Sequence, residues 1–379
     1  MTNPLNRRQF LALSSLSAAA AALPAWSFAQ ELTPEVADGV DWYNVQDWGI
    51  EGKGWNDTAR YFDRLPSRAE GKVRAAVWNL SRHSAGMLVR FETDAPSIRA
   101  RYKLLSGNLA MPHMPATGVS GVDLYTRNEQ GQDRWLAVSK PATQTVNAVL
   151  TNDIDPRPNG ERRLYTLYLP LYNGVESLEI GVPTGSDFAA VAPRQEKPLV
   201  FYGTSIMHGA CASRPGMSIT GIVGRRMNRP VINLGFSGNG RLEAEVGEFL
   251  CELDPAVFII DCLPNVDGPV VAEKTKPLVL QLRKSHPETP ILLVEDRTYT
   301  FAPFRQSSRE RHARSRAAFK TAFENLQSAG VKNLYYLPGD NLLGSDGEAA
   351  TDGSHPNDLG MMRYADAYVP ALQKILGND

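Results

Sequence analysis

Cysteine is scarce in this chain of 379 residues, which has only Cys211, Cys251 and Cys262. Three cysteines cannot form a disulfide framework, because one stays unpaired when the other two are bridged, and no CxxC or Cys/His cluster suggests zinc. An excess of either charge is also missing, since 40 Lys and Arg stand against 41 Asp and Glu. This balance disfavours nucleic-acid-binding and membrane-surface proteins, which usually carry a basic excess or patch.

Long hydrophobic runs are missing as well. No stretch after the N-terminal segment is long and apolar enough to cross the roughly 30 Å core of a bilayer. The sequence is nevertheless 42% hydrophobic, which excludes an extended disordered chain. Its length predicts about two globular domains.

The first 29 residues are typical of a bacterial export signal. Arg7-Arg8 precede an alanine-rich apolar run over 11–23, and Ser27-Phe28-Ala29 form a small-x-small cleavage pattern. Twin arginines favour the twin-arginine route, which exports folded proteins. A transmembrane anchor is the alternative, but the run is too short and too rich in Ser and Ala. We therefore expect cleavage after Ala29 and a periplasmic or secreted protein.

The region from 41 to 190 has short alternating apolar runs separated by Gly, Pro, Asn and Asp. The runs include residues 75–78, 87–91, 98–102 and 164–169. Period-two alternation with regular turn residues predicts an antiparallel β-sandwich domain, and no helical periodicity interrupts it.

From 198 to 379 continuously apolar segments alternate with helical patterns. The predicted strands are 199–202, 231–234, 256–261, 291–294 and 334–337, and the predicted helices are 219–227, 242–253, 270–284, 308–329 and 358–376. This alternation predicts an α/β domain, a flavodoxin-like three-layer doubly wound parallel sheet. Ligands of such sheets bind beyond the carboxyl ends of the strands.

Three predicted strand ends carry residues suited to chemistry. Ser205 follows the first strand, a glycine-rich segment containing Gly238 follows the second, and Asn265 follows the third. A helix N-terminus at Ser205 would favour a developing anion, glycine lets backbone amides approach a ligand, and Asn offers an N–H donor. Each segment also has a structural interpretation, as an N-cap serine or as an ordinary turn.

Asp352 and His355 lie three residues apart just before the last predicted helix. At this spacing on a loop, the carboxylate can face one imidazole nitrogen and leave the other free. Together with Ser205 the pair supplies a nucleophile, a base and an orienting acid.

The four segments resemble the sequence blocks of the SGNH (GDSL-like) hydrolases. The matching residues are Gly203-Thr204-Ser205, Gly238, Asn265 and Asp352-x-x-His355, and the match covers about 198–376. Upstream, Gly121-Val122-Asp123-Leu124-Tyr125 resembles the Gly-x-Asp-Leu-Tyr signature of an N-terminal β-domain joined to some members. Thr204 replaces the family's usual Asp, and Leu263-Pro264-Asn265-Val266 replaces its Gly-x-Asn-Asp.

The resemblance implies a two-step acyl transfer. Ser205 would attack an ester carbonyl, His355 would act as base, and Asp352 would fix the imidazole tautomer. The oxyanion would be held by the backbone N–H groups of Ser205 and Gly238 and by the Asn265 side chain. No metal or organic cofactor is expected.

Three further polar residues are weaker candidates for substrate binding. His208 lies three residues after Ser205, with a helix-surface histidine as the alternative. Glu295 and Arg297 follow the fourth predicted strand, where they would contact substrate or support a neighbouring loop.

Export and the added β-domain suggest, by family analogy, that the substrate is a small-molecule or glycan ester and that the protein is a carbohydrate O-acetyl esterase. A lipase or thioesterase acting on longer acyl chains is one alternative, and a catalytically silent carbohydrate-binding protein is another. The oligomeric state cannot be read from the sequence.

Overall fold

The computed structural model describes residues 32–377, so the predicted export signal lies outside the described residues. The described chain forms three five-stranded sheets, of which two are antiparallel and one is parallel. Between residues 32 and 377, no helix has both the length and the hydropathy needed to cross a membrane.

The two antiparallel sheets form the predicted N-terminal β-sandwich. Their strands are β1 (Glu35–Ala37), β2 (Val40–Asn44), β3 (Leu88–Thr93), β4 (Ile98–Leu104), β5 (Asp123–Arg127), β6 (Asp133–Val138), β7 (Thr145–Thr151), β8 (Arg163–Tyr168), β9 (Val175–Pro183) and β10 (Phe188–Val191). The sheet orders are β1-β2-β9-β4-β7 and β10-β3-β8-β5-β6. Every second residue of β4 is buried in the core between the sheets, as the alternating pattern predicted.

The prediction of a strand over 75–78 and of a region without helices was wrong. The structure has the helix α1 (Ala75–Ser81) there and the one-turn helix α2 (Ala116–Val119) further on. In α1 the side chains of Val77, Trp78 and Ser81 are buried, a helical spacing that a four-residue apolar run does not reveal. Val77 and Trp78 pack into the core of the C-terminal domain, so this segment leaves the sandwich.

The C-terminal domain is the predicted flavodoxin-like sheet. Its strands are β11 (Leu199–Gly203), β12 (Val231–Gly235), β13 (Val257–Asp261), β14 (Ile291–Val294) and β15 (Leu334–Leu337). Its helices are α3 (Ser205–His208), α4 (Ile219–Arg226), α5 (Ala244–Leu250), α6 (Gly268–Ser285), α7 (Gln306–Ser328) and α8 (Asp358–Leu376). The strand order is β12-β11-β13-β14-β15, and all neighbouring strands are parallel. The chain adds β12 on one side of β11 and β13 on the other, so the order of strands reverses beside β11. Helices α5, α6 and α7 cover one face, and α3, α4 and α8 cover the other.

The Gly-x-Asp-Leu-Tyr segment joins the two domains. Asp123 is fully buried and accepts hydrogen bonds from the backbone N–H of Gly216 (2.8 Å) and from the Arg214 guanidinium (3.1 Å). The Arg225 guanidinium lies 4.1 Å from the centre of the Tyr125 ring. The β-sandwich therefore fixes the loop that leads from α3 to α4.

Candidate active site

Ser205 is the first residue of α3, directly beyond the end of β11. Gly203, the last residue of that strand, is in register with Gly235 of β12 and Asp261 of β13, so Ser205 emerges where the strand order reverses. The helix is capped by Thr204, whose hydroxyl accepts from the backbone N–H of Ile206 at 3.3 Å. Ser205 is therefore not the N-cap, and its hydroxyl is free for another partner.

That partner is His355, on the loop before α8. The Oγ atom of Ser205 lies 2.9 Å from Nε2 of His355, although 150 positions separate the two residues. On the other side of the ring, Nδ1 of His355 lies 2.7 Å from Oδ2 of Asp352. The structure thus brings the three predicted residues into one hydrogen-bonded chain.

Asp352 is held as a carboxylate by the donors around it. Partial burial acts to raise its pKa, but the backbone N–H groups of His355 (2.7 Å) and Ser354 (2.9 Å) and the His355 ring outweigh burial and lower the pKa to about 2. An ionised carboxylate accepts a hydrogen bond from Nδ1–H, which keeps the proton on Nδ1 and leaves the lone pair of the ring on Nε2, facing Ser205.

Contacts from the segment after β14 hold the loop that carries Asp352 and His355. Arg297 is buried and donates from Nε to the carbonyl of Ser354 at 3.0 Å and from Nη2 to the Ser354 hydroxyl. Thr300 donates its backbone N–H to the carbonyl of Gly353 at 3.0 Å. Gly353 has a φ of +84°, and a Cβ there would lie 2.3 Å from the Phe301 ring, so the loop can adopt this conformation only with glycine.

The segment containing Gly238 packs against the backbone that leads to Ser205. A Cβ on Gly240 would lie 1.9 Å from the carbonyl oxygen of Gly203, which shows how closely the two segments approach. Gly238 has a φ of +68°, and among the described residues no protein acceptor is placed for its backbone N–H. That N–H is therefore available to a ligand.

Asn265 is fixed by the same segment. Its side-chain oxygen is satisfied when it accepts from the backbone N–H groups of Asn239 (3.1 Å) and Gly240 (3.3 Å). In this orientation its Nδ2 faces acceptors and has a proton to donate. The departure of this block from the usual family pattern therefore leaves Asn265 in contact with the Gly238 segment.

Two family profiles match the chain. The GDSL-like Lipase/Acylhydrolase family matches residues 196–373, and the N-terminus of Esterase_SGNH_hydro-type matches residues 40–188. A solved structure from Bacteroides ovatus described as a GDSL-like lipase is 35% identical, with a TM-score of 0.84, and the alignment covers 89% of this chain and 98% of that one. The chain belongs to the GDSL-like hydrolases of SGNH type.

More distant structures share the fold of this GDSL-like hydrolase. The salicylyl-acyltransferase SsfX3 of a tetracycline biosynthetic pathway is 19% identical with a TM-score of 0.65, covering 90% of this chain and 99% of its own. A family two carbohydrate esterase from Cellvibrio japonicus is 14% identical with a TM-score of 0.57, covering 89% and 98%. No curated protein matched the sequence.

His208, a weak candidate for substrate binding in the hydrolase, lies beneath the site and is fully buried. Its ring stacks on Tyr172 with centroids 4.2 Å apart, and its Nε2 lies 3.3 Å from Nδ1 of His83. Burial and the neighbouring Arg64 guanidinium lower its pKa well below the usual value, so it is a neutral packing residue. Neither substrate contact nor a helix-surface position fits this placement.

Glu295 and Arg297, the other two weak candidates, are also buried in the hydrolase. Glu295 accepts from the Tyr336 hydroxyl (2.5 Å) and from the backbone N–H of Gly339 (2.9 Å), so it ties β14 to the segment after β15. Arg297 supports the Asp352–His355 loop. Of the two roles open for this segment, the geometry favours loop support.

Sequence reasoning missed Arg74, which contacts the Gly238 segment of the hydrolase. Arg74 directly precedes α1, in the insert between β2 and β3. Its guanidinium donates to the side-chain oxygen (2.7 Å) and the carbonyl (3.0 Å) of Asn239 and pairs with Glu243. Arg74 is 165 positions from Asn239, and no local motif marks such a contact.

Proposed function

We propose that the protein is a serine esterase that removes O-acetyl groups from carbohydrates. The observation that carries the proposal is the chain of two hydrogen bonds, 2.9 Å from Ser205 Oγ to His355 Nε2 and 2.7 Å from His355 Nδ1 to Asp352. A serine next to an oriented imidazole is the arrangement that activates a hydroxyl for attack on a carbonyl carbon.

In the acylation step, Ser205 Oγ bonds to the ester carbonyl carbon while its proton moves to Nε2 of His355. The tetrahedral oxyanion accepts hydrogen bonds from the backbone N–H groups of Ser205 and Gly238 and from Nδ2 of Asn265. His355 then gives its proton to the leaving alkoxide oxygen, and the alcohol departs. Asp352 stabilises the imidazolium that forms between these two transfers.

Deacylation repeats the same sequence with water. His355 takes a proton from the water, whose oxygen attacks the acyl carbon, and then returns the proton to Ser205 Oγ as the carboxylic acid leaves. The three residues end in their starting protonation states, so the cycle needs no other reactant.

An open groove beside His355 supports a carbohydrate as the alcohol part of the substrate. Its lining includes the polar side chains of Ser213, Glu348, Thr351, Asn357 and Asp358 beside the apolar Pro115 and Leu359. Such donors and acceptors suit sugar hydroxyls better than they suit an alkyl chain. The fold shared with a carbohydrate esterase is consistent with this substrate class.

The proposal is tested by acetate release from a panel of acetylated glycans, comparing the wild type with Ser205→Ala. We expect turnover to fall by about 10³-fold or more, because the nucleophile is lost. Ser307→Ala, at an exposed helix position, is the matched control and should leave turnover unchanged. Near-wild-type acetate release from Ser205→Ala would remove Ser205 from the mechanism.

A lipase or thioesterase acting on longer acyl chains is distinguished by the acyl group. Rates on p-nitrophenyl acetate and p-nitrophenyl octanoate should favour the acetate. Faster turnover of the octanoate would contradict the acetyl proposal while leaving the serine mechanism in place.

A catalytically silent carbohydrate-binding protein is distinguished by labelling. A serine-directed phosphonate should modify Ser205 in the wild type and should modify nothing in Ser205→Ala. Failure to label the wild type would favour the silent protein.

We also propose that the protein is exported through the twin-arginine route, on the evidence of Arg7-Arg8 and the apolar run that follows. Cell fractionation should find the processed wild type outside the cytoplasm. Replacing both arginines with lysine should retain the unprocessed chain inside, and processed exported protein from that variant would contradict this route.

A further inference from the structure

A second cluster of chemically reactive side chains meets the proposed catalytic histidine. His113, Cys211 and His355 each offer one ligand-type atom, and these atoms lie within 4.8 Å of one another. The rings of His113 and His355 are 6.1 Å apart between centroids. The three residues come from three separate loops, so no motif in the sequence indicates the cluster.

The β-sandwich domain supplies His113, which lies in a tight turn closed by paired backbone hydrogen bonds between Met111 and Met114 (2.9 and 3.0 Å). The side chain of His113 is exposed, so it can rotate. The turn reaches the C-terminal domain because α2 follows it directly.

Helix α2 is docked on the loop that carries Cys211. The Thr117 hydroxyl donates to the carbonyl of Ser213 at 2.6 Å, and a Cβ on Gly118 would lie 2.3 Å from the carbonyl oxygen of Ala212. These contacts keep His113 and Cys211 near each other. Cys211 is only 7% exposed, and its thiol lies within 4.8 Å of a ring nitrogen of each histidine.

Two imidazoles and a thiolate are the ligands that zinc prefers. Nδ1 of His355 is occupied by Asp352, so the nitrogen that remains for a cation is Nε2, the atom that faces Ser205. Ligand atoms around tetrahedral zinc lie about 2.0–2.3 Å from the metal, so the cluster must contract by roughly 1 Å, which the exposed His113 ring can supply.

We propose that His113, Cys211 and His355 form a binding site for zinc or a similar divalent cation, and that a bound cation inhibits the esterase. Three protein ligands leave a fourth position for water. Inhibition follows because a metal on Nε2 of His355 removes the lone pair that would accept the Ser205 proton. The binding site stands on its own geometry, whereas the inhibition rests on the proposed function.

The first experiment measures ester hydrolysis by the chelator-treated full chain during a Zn²⁺ titration, with each variant compared with its own metal-free rate. We expect zinc to inhibit the wild type and excess chelator to restore its activity. His113→Ala and Cys211→Ser should each weaken the inhibition by at least about 10- to 100-fold, because losing a residue that only supports a metal ligand already costs that much. Cys251→Ser is the matched control and should be inhibited like the wild type. Equal inhibition of all four proteins, or none of the wild type, would overturn the proposed inhibition.

The second experiment uses Co²⁺ as a spectroscopic probe that does not depend on activity. A thiolate bound to Co²⁺ gives a ligand-to-metal charge-transfer band in the near ultraviolet, which the wild type and Cys251→Ser should show. Cys211→Ser should lose this band, and His113→Ala, which removes an exposed side chain and should fold normally, should bind Co²⁺ more weakly. No band in the wild type would overturn the site itself. A band without zinc inhibition would keep the site and overturn the inhibitory role, and a band in a chain inactive on every ester would overturn the proposed function alone.

Discussion

The two halves of the proposed catalytic arrangement are positioned in different ways: Ser205 lies at a sheet edge, and Asp352 and His355 lie on a loop. Ser205 follows a buried strand that is hydrogen-bonded on both sides, and it is only 6% exposed. Asp352 and His355 lie on an irregular loop between β15 and α8, with side chains 40% and 25% exposed. Regular backbone therefore positions the proposed nucleophile, whereas contacts from neighbouring side chains and loops position the proposed base.

This difference has a consequence for tolerance to mutation. The end of β11 is restrained by ladders to β12 and β13, so a single side-chain change leaves the strand in place. The loop depends on a few contacts from Arg297, Thr300 and Phe301, and losing one of them should move His355 relative to Ser205. Small displacements between reacting groups are costly, because catalysis depends on their alignment.

The largest effect on turnover is expected from Asp352→Asn, on the loop that carries His355. The amide offers an N–H to Nδ1 of His355 and favours the tautomer with its proton on Nε2, where the base needs a lone pair. Turnover should fall by about 10³- to 10⁴-fold in steady-state ester hydrolysis. Asp346 lies on the same loop, and its exposed carboxylate pairs with Arg363 of α8. Asp346→Asn should not change turnover. A variant at Asp352 that keeps a tenth of the wild-type rate would contradict the role of this carboxylate.

A smaller effect is expected at the sheet edge from Asn265→Ala. This substitution removes one proposed oxyanion donor and should lower kcat by about 10²- to 10³-fold with little change in KM. Asn265→Asp keeps the oxygen that faces the Asn239 and Gly240 N–H groups but lacks the donor, so its kcat should fall at least as far. If the aspartate variant were as active as the wild type, Asn265 would only anchor the Gly238 segment.

Gly353→Ala tests the loop without touching a reacting group. The methyl group would meet the Phe301 ring at 2.3 Å, and the positive φ adds strain of about 1–3 kcal/mol. Displacement of the loop should lower turnover by about 10²-fold, measured on the folded variant.

Gly347→Ala is the matched control for this substitution. Gly347 also has a positive φ, +82°, but a Cβ there meets nothing within 4 Å. It should lose stability to backbone strain and keep its turnover. Equal losses of turnover in the two variants would mean that strain, rather than the position of Phe301, controls the loop.

The same comparison explains what the sequence could predict. Continuous apolar runs predicted all five parallel strands, three of them one residue off at one end, because strands buried on both faces leave a strong local signal. Because ligands of such sheets bind beyond the carboxyl ends of the strands, the position of Ser205 after the first strand then predicted that it lies at the functional edge. Asp352 and His355 were predicted as a pair because they lie three positions apart, which makes their contact local.

Contacts between distant segments left no comparable signal. Arg64 is buried and donates to the carbonyls of Asn233 (3.0 Å) and Gly235 (2.7 Å) from the insert between β2 and β3, yet nothing near it in the sequence marks this role. The helix in this insert was mistaken for a strand because the apolar run 75–78 is too short to show helical periodicity. His113 was missed for a similar reason, since it depends on the docking of the two domains.

The smallest effect on turnover is expected from Asp261→Asn. This substitution lies in the sheet beside β11, and its main effect should be on the free energy of unfolding. Asp261 ends β13 and is fully enclosed, with the Tyr368 hydroxyl donating to it at 2.6 Å. Burial raises its pKa to about 7, while the Tyr368 hydrogen bond opposes this rise and the Asp296 carboxylate adds to it. The folded state therefore holds a proton that the unfolded state releases above its lower pKa.

The sign of the pH dependence follows from that difference. Between about pH 4 and pH 7 the folded state binds more protons than the unfolded state. As pH rises through this range, Asp261 therefore lowers the free energy of unfolding, by up to about 4 kcal/mol. Above pH 7 its contribution to the free energy of unfolding no longer changes with pH. Asp261→Asn should remove that contribution, so its stability relative to the wild type should rise between pH 5 and pH 8 in urea unfolding. Asp254→Asn, at a carboxylate with 71% of its side chain exposed, should track the wild type. Because hydrogen-bond ladders on both sides of β13 hold the strand in place, turnover should change little. A large loss of kcat would show that the sheet edge carrying Ser205 depends on single side chains as much as the loop does.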